Sequence, residues 1–350
     1  MSWTLAAAVA VAAFFIPPSS HSVDTLQLSW LMTPGRYFVP AAEGKLTTNP
    51  ELVRLDNPPE TFAPRKEPGR TRIFCVGGST TRGWPFHRVT SYPKMLAQAL
   101  GPKYEVLNAG FMRSDSWSDR ALVEQLLAYQ PDLILLYAGR NERWDYPMQA
   151  GRKGTLLRLH LRLMRRSRLY AAAYGGAKRT PGSNIGQGVR EWAARGVEVE
   201  DGGLKDALLS NLRAAEAAAR GRGVKLLVLT QVTHDDDEEV SRLNGWLRQS
   251  GLTLLEVDEA FAGRRQELVM PRPAVHPDLE GYALMARTVA SGLEKLGYGP
   301  ARPVAAPALE ADYRKEVYCR VGRLFVAVGS PARVSEGYFR KAGPGPCPSM

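Results

Sequence analysis

Histidine is scarce in this chain, five in 350 residues, so few side chains can act as a general base near neutral pH. Cysteine is scarcer, with three, and their spacing matches no metal-binding signature. The Gly-x-Gly-x-x-Gly pattern of a dinucleotide site is missing: Gly77 and Gly78 do not form it, which sets a Rossmann-type nucleotide binder aside. No nucleic-acid motif accompanies the formal charge of +11, so basicity alone does not argue for DNA or RNA. The apolar run at the N-terminus, Trp3 to Ile16, has 14 residues and is broken only by Thr4; a comfortable membrane span needs about 20. No internal repeat is visible.

What is present is a series of strand-to-turn junctions. Residues 73 to 81 read Ile-Phe-Cys-Val-Gly-Gly-Ser-Thr-Thr, an apolar run of the kind that forms a strand covered on both faces. The two glycines permit a tight turn, and Ser79 follows at the carboxyl end of the strand, where open α/β sheets keep their ligand sites. Taken alone, the segment is equally a strand-to-helix turn with Ser or Thr as N-cap. Further junctions follow in order: Asn108-Ala109-Gly110 after a strand Tyr104 to Leu107, Gly139-Arg140-Asn141-Glu142 after a strand Leu133 to Tyr137, and His276-Pro277-Asp278 before a helix Leu279 to Leu296. Strands alternating with helices (Ser91 to Leu100, Ser118 to Tyr129, Leu204 to Gly221) and later strands at Lys225 and at Leu252 to Val257 predict an α/β fold with a mainly parallel sheet covered on both faces.

A serine, a glycine, an asparagine and a histidine at the ends of successive elements resemble the SGNH (GDSL-like) hydrolase superfamily, most closely its extracytoplasmic branch with a Gly-Gly-Ser-Thr-Thr first block and a Gly-x-Asn-Glu third block. The likeness covers roughly residues 70 to 295. It implies a flavodoxin-like three-layer sandwich and an acyl transfer without metal or organic cofactor. Ser79 is then the nucleophile and His276 its base. The backbone N–H groups of Ser79 and Gly110 and the side chain of Asn141 are the expected oxyanion donors. The substrate class implied is an acylated small molecule or glycan. Hydrolysis and O-acyl transfer to a sugar share the acyl-enzyme and are not separable at this level.

One position departs from the pattern. The family usually places an acid three residues before the histidine, and this chain has Pro273 there. Loss of the acid's function in a Ser-His-Asp system costs about 10⁴ in turnover. A backbone carbonyl could orient His276; another carboxylate (Glu267, Asp258 or Asp278) could reach it; or the protein is a non-catalytic envelope protein that binds glycan or lipid.

The chain divides into an export signal or membrane anchor (1–22), an irregular lead-in (23–69), the hydrolase domain (70–299) with an insertion at about 150–203, and an extension (300–350). The apolar start argues for export to the cell envelope or periplasm, anchored or cleaved, although no Lys or Arg precedes it. In the insertion, Arg152 to Arg179 carries many bases and no acid, interleaved with leucines. That is the pattern of a basic amphipathic helix suited to an anionic membrane surface, and equally of a helix packed with its charged face in solvent. The acidic run Asp235 to Glu239 reads as a solvated loop or helix start. Cys75 falls in the first core strand as a buried thiol, whereas Cys319 and Cys347 could pair in an exported protein. Lys315 to Val328 is a strand pair or a helix. Oligomeric state is not legible.

Overall fold

A computed structural model of the chain describes residues 36–50, 59–86, 88–112, 114–142, 159, 163, 200–234, 237–270, 276–307, 311–327 and 332–347. The N-terminal apolar run, most of the basic and Gly-rich segments and Pro273 lie outside the described residues. Of the basic segment only Leu159 and Leu163 are described, both helical and exposed. Among the described residues no helix is long and apolar enough to cross a membrane.

The lead-in forms three short strands, β1 (Phe38–Pro40), β2 (Leu46–Thr48) and β3 (Thr61–Phe62), paired antiparallel in that order. Phe38 and Phe62 pack edge-to-face on each other and against Phe74 and Tyr129. The described residues of the lead-in are therefore part of the core. Fully buried Arg72 stitches it down: Nη2 donates to Ala63 O at 2.8 Å, Nη1 to Tyr129 O at 2.7 Å, and Nε to Glu105 at 2.5 Å. A buried guanidinium is tolerated because its donors are matched in this way.

The main sheet is parallel and contains β4 (Thr71–Gly77), β5 (Tyr104–Gly110), β6 (Leu133–Tyr137), β7 (Lys225–Leu229) and β8 (Leu254–Leu255) in the spatial order β5-β4-β6-β7-β8. Counted along the chain this is the flavodoxin-like order 2-1-3-4-5, whose ligand crevice opens between the first and third strands. Ile73 and Cys75 face one apolar layer and Phe74 and Val76 the other. Leu133 and Leu135 oppose Ile134 and Leu136 in the same way. Burial on both faces explains why these strands read as unbroken apolar runs.

Helices cover both faces. After α1 (Ser79–Arg82), one layer holds α2 (Tyr92–Leu100) and the other α3 (Ser116–Leu126), α4 (Asp201–Arg220) and α5 (Glu238–Arg248). A short α6 (Arg265–Leu268) leads to α7 (Leu279–Lys295), which packs beside α2. Starts are set by aspartates: Asp115 accepts the Ser118 N–H at 2.8 Å and Asp278 the Gly281 N–H at 2.8 Å, satisfying donors that a helix leaves orphaned. The acidic run resolves similarly, with Asp237 capping α5.

The extension is helical. α8 (Ala311–Ala327) and α9 (Ala332–Ala342) pack together, and Tyr318, Val321, Val334 and Tyr338 join the layer of α2 and α7. Cys319 and Cys347 form a disulfide, and Cys75 is a buried free thiol whose burial pushes its pKa up.

Candidate active site

The site is assembled where β4 and β6 end. Gly77 has φ 151°, and a Cβ on it would stand 2.4 Å from Tyr137 O and 2.5 Å from Thr81 Oγ1. Only glycine allows the strand to turn this close to β6. The turn delivers Ser79 as the first residue of α1, part-exposed. Ser79 Oγ and His276 Nε2 are 2.7 Å apart.

Asn141 lies against the same turn. Its Nδ2 would be 3.1 Å from a Cβ on Gly78 and donates to Ser114 O at 2.9 Å. An amide NH₂ has two donors, and this bond uses one. The adjacent Arg140 pairs with Asp237, so the acidic run fastens the end of β6.

Gly110 departs from the expectation. It is buried; its N–H donates to Asn108 Oδ1 at 2.8 Å and its carbonyl accepts Tyr37 Oη at 2.8 Å. With its amide engaged there, Gly110 is not placed as an oxyanion donor. Its missing side chain serves packing: a Cβ would meet Arg82 N at 2.3 Å, so glycine lets α1 dock on the end of β5. The loop beyond it reaches the turn before the serine, with Ser114 N 3.8 Å from where a Cβ on Gly78 would stand.

Buried acids hold that loop. Ser114 Oγ donates to Asp119, while Ser116 donates to Glu142 through N–H at 2.6 Å and Oγ at 2.9 Å. Burial, with nearby Asp115 adding to it, pushes both carboxyl pKa values well up, against the opposing effect of the serine hydrogen bonds. Burial thus disfavours the charged form of both acids.

The backbone of His276 is held by the Met270 N–H, which donates to His276 O at 3.0 Å, beside a bridge between Val269 and Pro277. The three carboxylates considered from sequence are engaged elsewhere. Asp258 accepts from Arg248 and Asn244, Glu267 pairs with Arg264, and Asp278 caps α7 and pairs with Lys341. The Trp84 ring packs against the imidazole, with centroids 4.4 Å apart and planes tilted by 52°. A separate cavity of about 210 Å³ between the start of α7 and α8 is lined by none of Ser79, Asn141 and His276.

The model of the GDSL-like lipase/acylhydrolase family matches residues 75–284. The chain belongs to that family. A search of curated proteins returns no match. Similar solved structures include a GDSL-like lipase from Bacteroides thetaiotaomicron (14% identity, 65% of this chain and 89% of that one, TM-score 0.39). An acetylxylan esterase from Geobacillus stearothermophilus has 15% identity over 67% of this chain and 99% of its own, TM-score 0.41. A carbohydrate esterase of family 3 from Talaromyces cellulolyticus has 12% identity over 65% and 97%, TM-score 0.38.

Within this GDSL-like chain, Ser79, Asn141 and His276 converge and Gly110 does not. Sequence reasoning passed over Trp84 and Ser114. A tryptophan five residues beyond the serine was the available signal for the first; the second carried none.

Proposed function

We propose that this GDSL-like acylhydrolase cleaves ester bonds through a covalent acyl-enzyme on Ser79. The observation that carries this reading is the 2.7 Å contact between Ser79 Oγ and His276 Nε2, made by residues 197 apart in the chain. In the tautomer with its proton on Nδ1, His276 accepts the hydroxyl proton as Oγ attacks the ester carbonyl. The second hydrogen of Asn141 Nδ2 and the Ser79 N–H are the donors assigned to the oxyanion that develops, with Ser114 N as a further candidate from the loop after β5. Collapse expels the alcohol, which takes the proton from His276. Water then attacks the acyl-enzyme by the same route, releasing the acid and restoring Ser79. The substrate class we assign is an O-acylated carbohydrate of the cell envelope, as the extracytoplasmic resemblance implies.

Pro273 in the usual acid position favours a second reading, a glycan- or lipid-binding protein without turnover. Labelling with a fluorophosphonate probe separates the two. The hydrolase reading expects labelling of the wild type that disappears in both Ser79→Ala and His276→Ala. A folded wild type that does not label overturns it. Assay on acetylated oligosaccharides, with and without an added sugar acceptor, then distinguishes hydrolysis from transfer.

A further inference from the structure

The C-terminal extension lies beyond the family match, which ends at residue 284, yet its rings lead to the histidine. Trp84 is part-exposed and stacks obliquely on His276. It is also contacted edge-to-face by Phe325 of α8, with centroids 6.4 Å apart at 89°, and by Tyr338 of α9, 6.3 Å apart at 81°. Phe325 and Tyr338 stack on each other at 5.5 Å. The backbone of Trp84 is fixed as well, its carbonyl accepting Tyr282 Oη at 2.5 Å. Lys341 of α9 holds residues flanking the histidine, donating to Glu267 O at 2.5 Å and pairing with Asp278, two residues past His276. The Cys319–Cys347 disulfide ties the end of this assembly to α8.

We propose that Trp84, clamped by α8 and α9, is a positioning residue for His276 and performs part of the task that a carboxylate performs in a Ser-His-Asp triad. That task has two parts: holding the imidazole in its reactive orientation and stabilising the imidazolium that forms. A ring packed on one face supplies the first. The electron-rich indole face supplies the second by attracting the cation. The extension then has a function: it is the back wall of the Trp84 shelf. The inference rests on the reading of His276 as the base.

The test is steady-state hydrolysis of p-nitrophenyl acetate by the full chain, comparing wild type, Ser79→Ala, Trp84→Ala, Trp84→Phe and Phe325→Ala. Loss of orientation at a reacting group is worth up to about 10²-fold. Trp84→Ala is therefore expected to lower kcat by about 10- to 100-fold with KM within about twofold. Trp84→Phe keeps a ring on the imidazole and recovers most of the loss. Phe325→Ala weakens the shelf from behind and shows a smaller fall of the same kind; its side chain is part-exposed, so it carries the test where Trp84→Ala does not fold. A wild type with Ser79-dependent turnover and a Trp84→Ala variant that matches it in kcat, or changes only KM, overturns this proposal alone. A wild type without Ser79-dependent turnover overturns the hydrolase reading and this inference with it.

Discussion

Glu60 Oε2 accepts the backbone N–H of Asn108 at 3.0 Å, and its Oε1 pairs with Lys94 at 2.6 Å. A residue of the lead-in thus holds the strand end that fixes the nucleophile's helix. Asn108 passes the constraint on, its Nδ2 donating to Thr81 O at 2.8 Å and to Ser91 Oγ at 2.9 Å. Replacing Asn108 by Ala strands several buried groups, each worth about 1–3 kcal/mol when unmatched. Urea unfolding of Asn108→Ala should show a loss of about 3 kcal/mol or more on that basis, together with reduced fluorophosphonate labelling of Ser79.

Asn141 Nδ2 donates to Ser114 O at 2.9 Å, and the proposed mechanism gives its second hydrogen to the oxyanion. Removal of one oxyanion donor costs about 10²–10³ in kcat. Asn141→Ala should lower kcat by about that factor with little change in KM. A change confined to KM would place Asn141 in substrate binding instead.

Asp119 and Glu142 have folded-state pKa values raised by burial. In the unfolded chain they ionise near their ordinary values, about 4. Below that pH both states are protonated and the folded state bears no penalty. As pH rises from there toward the folded values, the unfolded state loses protons first, and stability falls. Glu142→Gln, which mimics the protonated acid, should therefore flatten the fall of stability with rising pH and stabilise the protein at neutral pH. Urea midpoints from pH 4 to pH 8, wild type against variant, check this; parallel curves would sink it.

The disulfide closes a 28-residue separation, for which the chain-entropy account gives about 3–4 kcal/mol. Reduction, or Cys347→Ser, should lower the melting temperature and release the segment that follows α9. Proteolysis between 328 and 347 should accelerate in step, as seen by mass spectrometry.

The sheet was legible because it obeys one rule. Leu133 to Tyr137 matches β6 from end to end, since a strand buried on both faces has no polar interruption. α3 starts at Ser116, two residues earlier than its apolar spacing suggests, because Asp115 caps it. β8 is reduced to Leu254 and Leu255 at the edge of the sheet, where only one neighbour supplies pairing. In the site, Ser79, Asn141 and His276 each end an element and stand out. Gly110 misled because its amide is taken by a side chain two residues back, a local turn that a motif does not encode. The Trp84 shelf was hidden for a different reason: it is made of contacts between residues far apart in the chain, and aromatic residues in a tail carry no address.

The order of synthesis gives the disulfide a further meaning. Cys347 leaves the ribosome after every strand, after Ser79 and after His276, and domains assemble from the N-terminus forward. The sheet and its serine can be in place while the last helices are still loose. The Cys319–Cys347 bond can close only once Cys347 has emerged, so this last tie behind the Trp84 ring is added after the sheet and its serine have been made.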